Sequence, residues 1–600
     1  MKRCIATLLT LAMVLSLMGC AKETEKTKKT KKTKKTTTEE TSDTDDTGPS
    51  ESTDIPSETE TGSEPTDTKT PATQDTSDTS ATADTSASDS SGSDTSATSS
   101  FYEPPAGPVS VTITDGEYQL GFYNAPTNRA YGELAPNIEY DVLISAEQYN
   151  DYYRLMSPDH DKLGEQLEAI FSEELQACKA IYSQASDELR DNINNATSSN
   201  YWNYSFAGVS SYGNFKRGDT KVTSFAVNRF SELKGEYETT TAYFNFDSAT
   251  GEALKMDDFI TDRNAFADAF LWYYVDAATV DDNGASVDWD HALSLAADTI
   301  RSGEDLPFLL YQNAIYVVLP YVPGTDPDTT YSVTFSALEM GDCVNLDYFT
   351  STPSSYALSA DSNNCFKWDF DGDGVLDTVT LDGGDDYYTV DLSIYFNGQS
   401  CATGDYSQCA QDAYDISWAC MCKTDGGYYL YVEFGMEDPA NTTAVFHFNN
   451  GKFEYVGEMD EFESYPWNPG ECRVCSRSDL MGTGKKVRDC ALGKDGLPYQ
   501  LYDYIEESGI GVTKKKMTLG IFEDGSFTDE FVTIPEGTTV QILGIDSYYK
   551  IAYFTTLCED ESQNQRFNMI VYYDENCDAY DVYFDGDGAY NLFAGLEYFD

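Results

Sequence analysis

Histidine is almost missing from this chain: among 600 residues only His160, His291 and His447 occur. Three scattered imidazoles supply neither the base of a nucleophile triad nor a His-Glu-x-x-His metal pair. Gly-x-Ser-x-Gly and Gly-x-x-x-x-Gly-Lys are absent as well, which removes the nucleophile elbow and the phosphate loop. Positive charge is scarce, with 38 Lys+Arg against 103 Asp+Glu and a formal net charge of −65. Nucleic acid is held by neutralising phosphates with Lys and Arg, so it is excluded as a partner. Beyond the first twenty residues no run is apolar enough to form a spanning helix. A glycosidase needs only two placed carboxylates, so a chain with this many acids neither suggests nor excludes one.

Aromatic residues are plentiful. The 44 Tyr and 31 Phe can build cores, so the chain is not disordered throughout. Its excess of acid favours solubility, cations and basic protein partners.

The first residues form a targeting segment. Met1-Lys2-Arg3 is a basic start, followed by an apolar run from Cys4 to Met18 that is too short for a comfortable membrane span. It ends Leu17-Met18-Gly19-Cys20, which resembles the lipobox of bacterial lipoproteins. That resemblance implies a signal peptide over 1–20, cleavage before Cys20, and lipid carried on Cys20. Residues 21–106 then form a tether. Lys22 to Lys35 alternates Thr with Lys pairs, and Glu39 to Ser100 is Ser, Thr, Asp, Glu and Pro with almost nothing apolar. Such a composition cannot offset chain entropy. As a coil, about 80 residues span on the order of 50 Å. The lysines beside the lipid suit anionic head groups, and the acidic remainder is pushed away from them.

The remaining chain is long enough for roughly three domains. Residues 107–350 mix helix and strand. Val109 to Ile113 alternates like a strand. Leu163, Leu167, Ile170, Phe171, Leu175, Cys178 and Ile181 recur at helical spacing and predict a long amphipathic helix. Lys221 to Phe230 and Thr241 to Phe246 predict strands, Asp257 to Ala277 and Asp290 to Ile300 predict helices, and Leu309 to Tyr321 predicts a hairpin around Gln312-Asn313. Tyr331 to Phe335 closes the block as a strand.

Within this order, Phe244-Asn245-Phe246-Asp247-Ser248-Ala249-Thr250-Gly251-Glu252-Ala253-Leu254 leads into Met256-Asp257-Asp258-Phe259, and the aromatic hairpin ends Leu319-Pro320-Tyr321. The arrangement over roughly 107–345 resembles the paired extracellular domains of a lysozyme-sensing anti-sigma factor, which also precede the catalytic domain of a peptidoglycan deacetylase in Gram-positive bacteria. The resemblance implies an extracellular binding module. The chain departs from that pattern at Lys234-Gly235-Glu236-Tyr237, where the family often has a turn ending in His. It has neither a sigma-binding segment nor a deacetylase domain, so the resemblance implies no enzyme.

Residues 351–508 predict a β-rich domain. Thr378 to Leu381 and Tyr388 to Phe396 alternate before an Asn397-Gly398 turn; Tyr428 to Phe434 and Thr443 to Phe448 alternate before Asn449-Asn450-Gly451. The recurrence suggests β repeats, and the arrangement resembles the calcium-loop repeats of bacterial surface proteins. Residues 509–600 predict a small SH3-like barrel or meander, with Phe531 to Leu543 pairing about Pro535-Glu536-Gly537 and Tyr548 to Phe554 following. The expected fold class is therefore an α+β N-terminal module followed by mainly antiparallel β domains.

The strongest chemical signal is Asp369-Phe370-Asp371-Gly372-Asp373-Gly374-Val375-Leu376-Asp377. With Asp369 as position 1, carboxylates fall at 3 (Asp371), 5 (Asp373) and 9 (Asp377). Gly374 occupies 6, where a calcium loop turns sharply, and the Val375 carbonyl at 7 is the expected backbone ligand. Position 12 is Thr380 rather than Glu, and the following residues read as strand. The loop is thus the shorter Asp-x-Asp-x-Asp-Gly-x-x-Asp type, similar to FG-GAP and thrombospondin-type loops. Carboxylates this close repel unless a cation sits among them, so Ca2+ in a structural role is expected. Tyr583 to Asn591 repeats part of the pattern around Asp585 and Asp587 but has Tyr at position 1, and it is expected to be a turn.

Setting aside Cys4 and Cys20, twelve cysteines remain, an even number that outside the cell favours disulfides. Cys420-x-Cys422 with Cys472-x-x-Cys475 is a weaker zinc alternative. The sequence thus points to a lipid-anchored, non-enzymatic binding protein on the outer face of the membrane. Its expected partners are membrane lipid through Cys20 and a cell-wall component or a basic protein such as lysozyme. The alternatives are a glycan-acting envelope enzyme and a purely structural calcium-dependent surface protein.

Overall fold

The computed structural model describes residues 114–596 except 117–118, 125, 139–140, 202–205, 234, 273–287, 321–330, 387–388, 405, 408, 410–412, 437–440, 524, 559–560 and 574–581. The signal peptide, Cys20, the tether, the strand expected at 109–113 and Cys577 lie outside the described residues.

Five strands form the first sheet, in the order Thr127–Leu134, Leu143–Asp151, Phe206–Gly218, Val222–Leu233 and Glu236–Asp247. Leu143–Asp151 pairs with Phe206–Gly218 in parallel, because the 35-residue helix Asp161–Asn195 crosses between them. That helix buries Leu163, Leu167, Phe171, Cys178, Ala185, Leu189 and Ile193. The stripe expected from sequence lies on its inward side, and the buried face continues about three turns further than foreseen, to Ile193.

The helix expected over Asp257 to Ala277 is broken. Met256–Phe259 is one short turn, and a second helix runs Arg263–Trp272, beyond which the residues are not described. Asp262 makes the break: its Oδ1 accepts the amides of Asn264 at 2.9 Å and Ala265 at 3.0 Å, so it caps a new helix instead of continuing the old one. The helix Trp289–Ser302 packs beside it, capped by Asp288 and ended by Gly303 at φ 87°. Both cover the antiparallel sheet Phe308–Leu310, Ala314–Val318 and Ser332–Ser336, with Phe266 and Phe270 edge-on to Phe335.

The rest is mainly antiparallel β, as the sequence implies; Ala402–Thr403 pairs in parallel with Lys452–Phe462. One four-stranded sheet holds Cys365–Trp368, Asp377–Asp386, Thr389–Phe396 and Gln399–Ser400. A long meander runs from Tyr356–Ser359 through Asp415–Thr424, Gly427–Gly435, Thr442–Asn449 and Lys452–Phe462 and on towards the C-terminal strands. The two expected hairpin repeats therefore fall in different sheets. Their turns are as foreseen: Asn397 and Gly398 both have positive φ, as do Asn450 and Gly451, which is the twist a two-residue hairpin needs.

The hairpin expected over Phe531 to Leu543 is not made. Ser526–Ile534 turns back on Met517–Glu523 instead, while Thr539–Asp546 joins Tyr504–Thr513 and Ile551–Thr556 in the long sheet. The Pro535-Glu536-Gly537 turn is spent on Thr513, whose Oγ donates to the Pro535 carbonyl at 2.7 Å and whose carbonyl accepts the Gly537 amide at 2.8 Å. Among the described residues no ladder closes into a barrel; the C-terminal part is a meander with a hairpin on it.

Cores cross the segment boundaries. One buried cluster runs from Val222 to Phe453 and another from Leu120 to Leu492. Trp467 sits 5.2 Å from Phe122 and 5.5 Å from Phe215, and a Cβ on Gly218 would lie 2.6 Å from its ring, so only glycine admits it there. Among the described residues no helix is long and apolar enough to cross a membrane.

Candidate metal centre

The loop Asp369 to Asp377 joins two paired strands, Cys365–Trp368 and Asp377–Asp386. Trp368 anchors its start. It is fully buried, and its indole N–H donates to the Tyr428 hydroxyl at 3.0 Å and the Tyr356 hydroxyl at 3.2 Å. Gly372 and Gly374 take φ of 78° and 81°, which bends the chain back on itself.

Asp369 is buried and organises the turn. Its Oδ1 accepts the amides of Gly372 at 2.7 Å and Asp373 at 3.1 Å, and its Oδ2 accepts that of Gly374 at 2.9 Å. Asp371 and Asp373 are exposed, and ligand oxygens of all three aspartates lie within 4.8 Å of one another. Asp369 Oδ1 already takes two amides and its Oδ2 one, while Asp371 and Asp373 each accept a single amide on Oδ1, so most of the remaining acceptor capacity lies on the two exposed carboxylates. Among the described residues these three are the group of His, Cys, Asp or Glu that converges so closely.

The other two expected ligands, Asp377 and Val375, also take part in the hydrogen bonding of the loop. Asp377 closes the loop: its Oδ2 accepts the Phe370 amide at 3.0 Å and its Oδ1 accepts Asn397 Nδ2 at 2.8 Å. Burial pushes its carboxyl above the usual range. The Val375 amide donates to Asp373 at 2.8 Å. Asn397, legible from sequence only as a turn residue, also accepts the Thr378 amide at 2.9 Å and so ties the hairpin to the loop.

The related stretch at Asp585 is a turn. Asp585 accepts the Ile570 amide at 2.9 Å, and Asp587 pairs with Lys515, which leaves little for an ion. The Cys472-x-x-Cys475 pair lies in the strand Cys472–Ser478, where positions three apart point to opposite faces, so the two thiols do not meet on one ion. None of the eleven described cysteines is bonded to another; Cys472 and Cys490 stand directly opposite across the ladder.

Sequence reasoning missed a second charged site. Arg473 is 9% exposed and meets four carboxylates: Glu463 at 2.6 Å, Asp151 at 3.0 Å, Asp489 at 3.7 Å, and Glu506. Burial, opposed by Arg473, pushes Glu463 up to about 8 and raises Asp151 and Glu506 above the usual range. No local pattern signals this, because Asp151 is 322 residues from Arg473 in the chain. The adjoining cavity, of about 30 Å³, lies between Phe122, Tyr465, Trp467 and Arg473. Ligand pockets run to roughly 300–1,000 Å³, so this one holds water-sized guests only.

A pH dependence follows. Glu463 binds its proton more tightly folded than unfolded, so it contributes stability that is full below the ordinary carboxylate range and lost as pH rises through about 8. The melting temperature is expected to fall between pH 5 and pH 9, and Glu463→Gln, neutral throughout, is expected to flatten the decline. An unchanged slope in that variant would reject the assignment.

No family model and no curated protein matches the sequence. Among solved structures, the chain is similar to a DUF3298 family protein from Bacteroides fragilis, at 15% identity over 38% of this chain and 96% of that one, with a TM-score of 0.24. It is also similar to a DUF3298 family protein from Pseudomonas aeruginosa, at 13% identity over 38% and 97% of the respective chains, with a TM-score of 0.21. Likeness this coarse carries no functional argument.

Proposed function

We propose that this chain is a lipid-anchored, extracellular binding protein of the bacterial envelope, held by Cys20, that captures a cell-wall-associated basic protein of the lysozyme kind without catalysing a reaction. One structural calcium ion is held by Asp369, Asp371 and Asp373, with Val375 as a carbonyl ligand and Asp377 closing the loop. The observation that carries the reading is charge: the chain has 103 acidic residues against 38 basic ones. Such a surface draws in cationic partners by long-range attraction and loses them to salt. The lipobox-like end at Cys20 and the resemblance of residues 107–345 to a lysozyme-sensing module support the location and the partner. The expected result is that the full chain retains lysozyme at low salt and releases it as salt rises. Failure to retain it at low salt removes the lysozyme partner.

A second reading, a glycan-acting enzyme, has one observation in its favour. Glu458 and Asp460 lie two apart on the strand Lys452–Phe462, hence on one face, and line an open depression of about 400 Å³. Soluble product from peptidoglycan, lost in Glu458→Gln, would favour it.

A further inference from the structure

Four thiols share one buried cluster: Cys420, Cys422, Cys472 and Cys490. The strand Cys472–Ser478 runs antiparallel to Gly484–Leu492, and Cys472 stands opposite Cys490 in that ladder. Among the described residues no other two cysteines are ladder partners.

Residues directly opposite in an antiparallel pair put their side chains on one face, with Cα atoms about 4.5–5.5 Å apart. A disulfide spans about 4.4–6.8 Å between Cα atoms, so this backbone can take the bond by turning two side chains. Cys420 and Cys422 are less well placed. They lie two apart on the strand Asp415–Thr424, which sets their Cα atoms about 6.7 Å apart, at the edge of that range.

Burial decides when the bond can form. Cys472 and Cys490 are 5% and 2% exposed, so an oxidant reaches them before the core closes rather than after. The same burial then shields the bond from reductants. The neighbouring rung of the ladder is Arg473 opposite Asp489, 3.7 Å apart. A bond one rung away fixes the register of the two strands that bring Arg473 to this carboxylate.

We infer that Cys472 and Cys490 are joined by a disulfide in the exported chain, an inference that rests on the extracellular reading for its oxidising surroundings. The bond forms by exchange: one thiolate attacks the disulfide of a dithiol carrier, and the second displaces the carrier from the mixed disulfide. The two cysteines lose two electrons and two protons between them, and the carrier leaves as its dithiol.

Trypsin separates the pair, because Lys452 and Arg473 bound a peptide whose only cysteine is Cys472, and Arg488 and Lys494 bound one whose only cysteine is Cys490. The full chain is alkylated in denaturant without reductant, digested and mapped by mass spectrometry. One sample comes from a cell that exports the chain, the other from refolding in a glutathione redox buffer. The two peptides are expected to appear linked in both samples and to part on reduction. Cys490→Ser is expected to return Cys472 alkylated. If neither sample is linked, the pairing is wrong while the extracellular reading stands. If only the refolded chain is linked, the inference falls together with the oxidising location it rests on. A link from Cys472 to Cys420 or Cys422 would also overturn the pairing.

Discussion

Arg473→Met is expected to destabilise the protein by about 3–5 kcal/mol, the usual consequence of removing one partner from a buried charge group. Asp151, Asp489 and Glu506, and Glu463 once it ionises above about pH 8, would lose their shared cation, and three of the four are largely buried. Met fills similar volume, so the loss is electrostatic rather than a cavity effect. The cluster ties Asp151 of the first sheet to strands near 473, 489 and 506, so its failure should separate these parts. Denaturant unfolding would read this as a lowered midpoint. Glu506→Gln is expected to cost far less, because it removes one of several acids and keeps the guanidinium. A midpoint for Arg473→Met within about 1 kcal/mol of the parent would show that the carboxylates simply take up protons, the remaining way to remove their charge.

The second large effect concerns calcium. At a concentration a hundredfold above the dissociation constant, an ion bound only by the folded state stabilises it by about 2.7 kcal/mol. The chain is expected to melt higher in calcium and to lose that gain in chelator. Asp371→Asn with Asp373→Asn gives a sharper sign. Two unit charges 4 Å apart repel by about 1 kcal/mol in water and about 4 kcal/mol near a protein surface. In chelator the double variant should therefore be at least as stable as the parent, because a repulsion is relieved. In calcium it should be the less stable of the two. Parallel melting curves, with no crossing on addition of calcium, would contradict the loop's role.

The loop was legible because its information is local. Spacing alone brought Asp369, Asp371 and Asp373 together, since Gly372 and Gly374 dictate how the turn closes. The long helix and the Asn-Gly turns were legible for the same reason. What failed depended on competition between distant segments. Asp262 ended a helix that periodicity would have continued, and Thr513 took the Pro535 turn that seemed to belong to a hairpin. Nothing local in the sequence marks Arg473, because its burial is set by strands that meet only in the folded chain. The exposed rings of Phe531 and Tyr548 were likewise indistinguishable, in sequence, from the core aromatics around them.

Equilibrium dialysis of the full chain against labelled calcium tests the account most directly. One ion per chain is predicted for the parent and none for Asp371→Asn with Asp373→Asn. A parent that takes up no ion, or a double variant that keeps it, would contradict the claim that this turn exists to hold a cation.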